Sequence, residues 1–261
     1  MSFIQFLYSH IPTSVVKKKK HRHVLFGINK GVKIYSELIF TQILGVYERE
    51  FVNRIRNNFK HIDSCLVLGM HNGYTAIELS KIYPDAKVIG VEANPNLCAD
   101  VEKTLDGLRN PNIFLVQKRI DYGASKFRID DDGQGMVAKV GVESGDTDNQ
   151  SSSDNSINDP LNPPVKFSEL LKECEPLLAS KKLLLMDIEG FEEDIFDNEQ
   201  PEIFTLFDGI CIEYHSVEIK DKYVMLFEET LGNSFKLVFC SDGSLPSRRE
   251  GNGHIIASKL G

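Results

Sequence analysis

The sequence predicts an α/β fold, a mostly parallel sheet with helices on both faces. Three observations predict it. Short apolar runs alternate with stretches of helical period from residue 65 onward. The first run, Cys65-Leu-Val-Leu68, stops at Gly69, and Gly73 follows four residues later at the head of a helix-like stretch. The next run, Val88-Ile-Gly-Val91, ends at an acid, Glu92, just before Asn94-Pro95. This is the strand–turn–helix–strand layout of a nucleotide-type cofactor site, in which glycines admit a ligand to the backbone and the acid takes ribose hydroxyls.

Taken in order, residues 1–33 read as a loosely attached basic leader, and residues 34–261 as a single domain. The run Lys17-Lys-Lys-Lys-His-Arg-His23 reads first as a solvated tail, with RNA or anionic lipid as the alternative. Tyr35, Leu38, Ile39, Ile43, Tyr47, Phe51, Ile55 and Phe59 recur at spacings of three and four and predict one helix over 35–59. Strand 65–68, helix 74–82 ending before Pro84, strand 87–92 and helix 96–106 follow. Pro95 opens that last helix and Gly107 sits near its end. Strand 113–117 comes next, then a short hairpin, 126–130 with 136–141. The stretch of about 142–162 is rich in Ser, Asn and Asp and reads as a disordered insertion, because it buries too little to offset its ordering entropy. The alternation then resumes with helix 167–174, strand 182–187, helix 191–197, strand 208–213, a helix over about 218–231, and a terminal hairpin of strands 235–240 and 253–258.

Composition narrows the function classes. The 261 residues carry a net charge of -8, which disfavours a generally basic nucleic-acid-binding surface. There is no tryptophan to stack on a base. The five cysteines include no CxxC pair, so no zinc signature and a reduced compartment are expected. No apolar run approaches a membrane span, and the lysine cluster follows the apolar N-terminal residues, the wrong order for a secretory signal; the protein reads as cytoplasmic. His254, in the last strand, reads as a packed histidine.

Ligands of an open parallel sheet sit beyond the carboxyl ends of the strands. There the sequence places Gly69 to Gly73, Glu92, Asp187, Glu189 and Gly190, and Glu213 with His215. The turn is G-x-x-x-G and not G-x-G-x-x-G. It suits S-adenosylmethionine better than a dinucleotide, since that cofactor has no pyrophosphate to seat on a helix N-terminus.

These residues resemble the FkbM-type family of S-adenosylmethionine-dependent methyltransferases from about Gly45 to Lys259. Tyr47-Glu48 resembles that family's upstream Tyr-Glu element, and Leu68-Gly-Met-His-Asn-Gly-Tyr-Thr75 stands where the family has Asp-x-Gly-Ala-Asn-x-Gly-Tyr-Thr. Val88-Ile-Gly-Val-Glu-Ala-Asn-Pro95 is similar to its second-strand motif. Leu185-Met-Asp-Ile-Glu-Gly-Phe-Glu192 resembles Lys-x-Asp-x-Glu-Gly-x-Glu, and Ile212-Glu-Tyr-His215 its Glu-x-His strand end. Three departures stand out: Val67 replaces an acid, Met70-His71 replaces Ala-Asn, and Leu185 replaces a lysine.

The resemblance implies a Rossmann-like class I methyltransferase fold, three layers deep, with seven strands and an antiparallel last one. It implies methyl transfer, most often to oxygen, with a small-molecule or glycan acceptor. The implied cofactor side is Gly69, Met70, His71, Asn72, Gly73, Tyr74, Thr75, Glu92, Ala93, Asn94 and Asp187. The acceptor side offers His215 as general base, with Asp187 and Glu189 beside it. No metal ligands are assigned, although Asp187, Glu189 and Glu213 would suit magnesium. Two alternatives stay open: a non-catalytic interaction module of the same fold, motivated by Val67 and Met70-His71, and a nicotinamide-dependent oxidoreductase.

Overall fold

The structure, a computed structural model, describes residues 22–108, 112–123, 126–129, 137–140, 164–215, 217–241 and 253–260. Residues 1–21 of the expected leader and the expected insertion lie outside them.

Seven strands form the main sheet: β3 (Ser64–Leu68), β4 (Lys87–Glu92), β5 (Ile113–Gln117), β10 (Lys182–Met186), β11 (Gly209–Tyr214), β12 (Phe235–Cys240) and β13 (Gly253–Lys259). Their spatial order is β12-β13-β11-β10-β3-β4-β5. Only β13 runs antiparallel to its neighbours. This is the Rossmann-like class I methyltransferase arrangement, with the order reversing at β3 beside β10. Three two-stranded ladders complete the described sheets: β1 (Arg22–His23) with β2 (Lys33–Ile34), β6 (Arg119–Ile120) with β9 (Pro164–Val165), and β7 (Lys126–Ile129) with β8 (Val137–Val140).

The strands read as nearly continuous apolar runs because both faces are covered. Val67, Leu183, Leu185, Cys211 and Ile256 pack into one core, and Leu66, Leu68, Leu184, Met186, Ile212 and Ile255 into the other. The first core is covered by α2 (Arg49–Asn58), α3 (Tyr74–Ile82) and α4 (Pro95–Asp106). The second is covered by α5 (Phe167–Cys174), α6 (Glu192–Asn198) and α7 (Val217–Met225), the last continued by one π turn over Leu226–Thr230.

Two expectations are corrected. The helix expected over 35–59 is two helices, α1 (Phe40–Ile43) and α2. Between them Gly45 takes φ +66, with the Phe26 carbonyl where a Cβ would lie, and Glu48 takes φ 47. The apolar stripe crosses the break, so periodicity alone does not reveal it. Residues 22–33 are also not a loose leader. Val24, Val32 and Ile34 bury their side chains in the first core, Leu25 N–H donates to Ile43 O at 2.8 Å, and Asn29 Nδ2 donates to Tyr74 O at 3.0 Å.

Candidate active site

The carboxyl edge of the sheet divides into two halves on either side of the β3–β10 junction. On the first, Glu92 ends β4 and is almost wholly buried. One of its oxygens accepts from His71 N–H at 2.7 Å and the other from Asn94 N–H at 2.8 Å. Burial pushes its carboxyl pKa up, and those N–H groups pull against the rise. The Ala93 N–H also leans on the carboxylate, which leaves part of its acceptor capacity for a ribose hydroxyl.

The glycine turn is fixed by packing. A Cβ on Gly69 (φ +81) would overlap the Asp187 carbonyl oxygen, so only glycine lets the ends of β3 and β10 meet. Gly73 also takes a left-handed φ, +80, but a Cβ there would meet only ordinary contacts, with Met70 and Val101 at 3.6 Å. Asn72 is fully engaged: Nδ2 donates to Glu37 O and Gln42 Oε1, and Oδ1 accepts from Tyr74 N–H at the start of α3. The Met70 side chain turns into the core, its Sδ occupying the space that a Cβ on Gly90 would need. Tyr74 is buried and packs edge-on to Tyr47, with ring centroids 5.8 Å apart. Asn94 accepts from Asn96 N–H and caps α4. Thr75 and Ala93 are half-buried at the rim. Of the side chains expected on the cofactor side, Glu92 and His71 therefore retain polar capacity. His71 Nε2 is buried with no hydrogen-bond partner. Those of Met70, Asn72, Tyr74 and Asn94 build the turn instead. Val67, where an acid would stand, is buried in β3 between the other core residues.

On the second half, Asp187 follows β10 and His215 follows β11, both half-buried. His215 Nε2 lies 3.9 Å from Asp187 Oδ1 and 3.9 Å from Glu192 Oε1. Glu192 is fully buried and accepts from Ile188 and Gly190 N–H, which holds the Asp187–Gly190 turn shut. Its position in the sequence suggests only a favourable place in the helix dipole; its hold on the turn emerges from the structure. Burial, then the charges of Glu48 and Glu189, push Asp187 up to about 8. Burial works to lower His215, but the Glu192 and Asp187 carboxylates outweigh it and carry the imidazole to about 9. Its carboxylate neighbours therefore favour the protonated ring.

A further group, Glu48, Glu213 and His254, adjoins this half. Sequence reasoning places Glu48 in a motif and His254 in a strand, but not the two together. The antiparallel register that sets His254 opposite Glu213 is the signal that could have joined them. Among the described residues three non-glycine side chains take positive φ, Glu48, His71 and Glu189, and all three lie on this edge. Such strain gathers at functional sites.

No family model matches the chain, nor does any curated protein. Solved structures similar to it include precorrin-6y C5,15-methyltransferase from Geobacter metallireducens, at 12% identity and TM-score 0.49, covering 87% of this chain and 94% of that one. Aeropyrum pernix fibrillarin with bound S-adenosyl-L-methionine is 14% identical at TM-score 0.43, covering 75% and 66%. TrmK from M. capricolum with S-adenosyl-homocysteine is 10% identical at TM-score 0.44, covering 80% and 67%. These likenesses are too distant to carry any residue of theirs onto this chain. No described helix is long and apolar enough to cross a membrane, and all five cysteines are free.

Proposed function

We propose that the chain is an S-adenosylmethionine-dependent methyltransferase whose acceptor presents a hydroxyl, on a small molecule or a glycan. One observation carries the reading. The buried carboxylate of Glu92 and the Asp187–His215 pair stand on opposite sides of the close approach between Gly69 and the Asp187 carbonyl.

The bound cofactor supplies a methyl group already activated on a sulfonium. Glu92 would accept a ribose hydroxyl, the turn from Gly69 to Thr75 with Ala93 and Asn94 would hold the adenosine, and Asp187 would bind the methionine part. His215, steered by Asp187 and Glu192, holds the acceptor hydroxyl and takes its proton as the oxygen gains the methyl group. Because those carboxylates raise the imidazole to about 9, turnover is expected to climb with pH through that region. Glu189 lies beside this group and adds negative charge to it.

The non-catalytic reading gains from one feature, the buried Val67 in place of an acid. Calorimetry with S-adenosylhomocysteine separates the two. Binding that Glu92→Ala weakens by about 1–3 kcal/mol supports the enzyme. Absence of heat and of any thermal shift at millimolar ligand supports the module. Stabilisation by NADH alone would return the oxidoreductase reading.

A further inference from the structure

The geometry points to a second site that the methyl-transfer reading does not use: a transition-type divalent cation held by Glu48, Glu213 and His254. The inference does not rest on that reading, since ion binding is measured without cofactor or acceptor.

The three residues arrive from separate elements. Glu48 is the left-handed residue that starts α2, Glu213 lies on β11, and His254 lies directly opposite it on β13. His254 Nε2 is 3.3 Å from Glu48 Oε1 and 3.9 Å from Glu213 Oε2, and one donor atom from each residue falls within 4.8 Å of the others. An ion about 2.0–2.2 Å from each donor fits that spacing. The imidazole is held in place by Phe51, stacked on it at 3.8 Å and 8°. The side chains are 6%, 12% and 3% exposed, so two carboxylates share a nearly dry space with Asp187 close by. Like charges so enclosed repel one another, and a divalent ion removes the repulsion.

A second observation is independent of the donors. Tyr74 Oη and Glu78 Oε2, one turn apart on α3, are enclosed without a hydrogen-bond partner. Tyr47 packs against the Tyr74 ring and brings Glu48 beside both groups, which feel its charge. A partly hydrated ion would offer its waters to them, giving Glu78 a donor and Tyr74 an acceptor. One imidazole and two carboxylates favour Mn²⁺, Fe²⁺ or Zn²⁺ over magnesium and calcium, which prefer oxygen alone. The neighbouring group Asp187, Glu192 and His215 is a poorer candidate, because Glu192 already spends its oxygens on the N–H groups of Ile188 and Gly190.

The test uses the full chain after chelator treatment and dialysis. Titration with Mn²⁺, Co²⁺ and Zn²⁺ is expected to show one equivalent bound with a raised melting temperature, and a much smaller response to Mg²⁺. Glu213→Gln and Glu48→Gln should each weaken Mn²⁺ binding at least about tenfold. Pulsed electron paramagnetic resonance of the Mn²⁺ protein should show coupling to an imidazole nitrogen, a readout that needs no variant to fold. The inference is overturned if none of the three ions binds at millimolar concentration, if the bound Mn²⁺ shows no nitrogen coupling, or if the variants bind as tightly as the parent. S-adenosylhomocysteine binding is measured separately, so failure of one site says nothing against the other.

Discussion

The two halves of the sheet edge are each tied by a buried glutamate and differ in what is left over. Glu92 accepts one N–H from the turn after β3, at His71, and one from Asn94 after β4, whereas Glu192 accepts two from the turn after β10. Around Glu92 the polar groups are largely spoken for: Asn72 and Asn94 serve the backbone, and Met70 is sunk in the core. Around Glu192 charge accumulates, with Asp187, Glu189, His215 and the neighbouring Glu48 and Glu213 close together. The first half is a scaffold whose polar groups mostly serve its own backbone. The second is held under electrostatic tension, and such tension is relieved by protons, by cations or by a substrate.

The comparison breaks most sharply at His215. His215→Ala should lower turnover by about 10²- to 10⁴-fold, the range of a lost general base, with S-adenosylhomocysteine affinity unchanged. Equal losses in both would mean that the halves are not separate.

Gly69→Ala comes next. Steric conflict with the Asp187 carbonyl and the left-handed φ together should cost about 3 kcal/mol or more, read by urea unfolding. Gly73→Ala, with nothing closer than 3.6 Å, should cost only about 1 kcal/mol of backbone strain. Similar losses in the two variants would show that the strand ends are not in close contact.

The third prediction concerns pH. Glu78 and Asp187 are both raised to about 8, chiefly by burial, above ordinary carboxyl values near 4. His215 is raised to about 9 from 6.5. Each group then binds its proton more tightly in the folded chain than in the unfolded one. Stability is therefore full below about pH 4 and is lost as pH climbs toward about 9. Melting temperatures across that range measure it, and a rising curve would remove the tension from the second half.

The smallest effect is expected at Glu189, which is half-exposed at φ 54. Glu189→Gly should relieve strain and stabilise the chain by about 0.5–1 kcal/mol, seen as a small gain in urea midpoint. A loss instead would mean that the side chain ties down the turn.

How much of this was legible in the sequence follows from how local each signal is. Strand runs, Gly69 and Glu92 were legible because they rest on neighbours within a few residues. The break at Gly45 was not, since Phe26, which demands the glycine, lies far back in the chain. Met70 reads as a cofactor residue because spacing places a backbone and not a side chain; Gly90, bare of a Cβ, is what receives it. Glu48 and His254 meet only through the packing of α2 on the sheet and the register of β13, and no local pattern records either.

The small ladder of β6 with β9 has a bearing on how the chain folds. Arg119 pairs with Pro164 and Ile120 with Val165, and Ile120 and Val165 are buried in the second core. The ladder therefore brings together two points of the chain that lie between β5 and β10, beside the main sheet. Closing a loop costs only about 0.6 kcal/mol more for each doubling of its length. The β3–β10 junction, on which both halves of the edge depend, is thus nearly indifferent to how much sequence is threaded between those two anchors. Lengthening or shortening that stretch would slow or speed the search for the junction far more than it would alter the junction once formed.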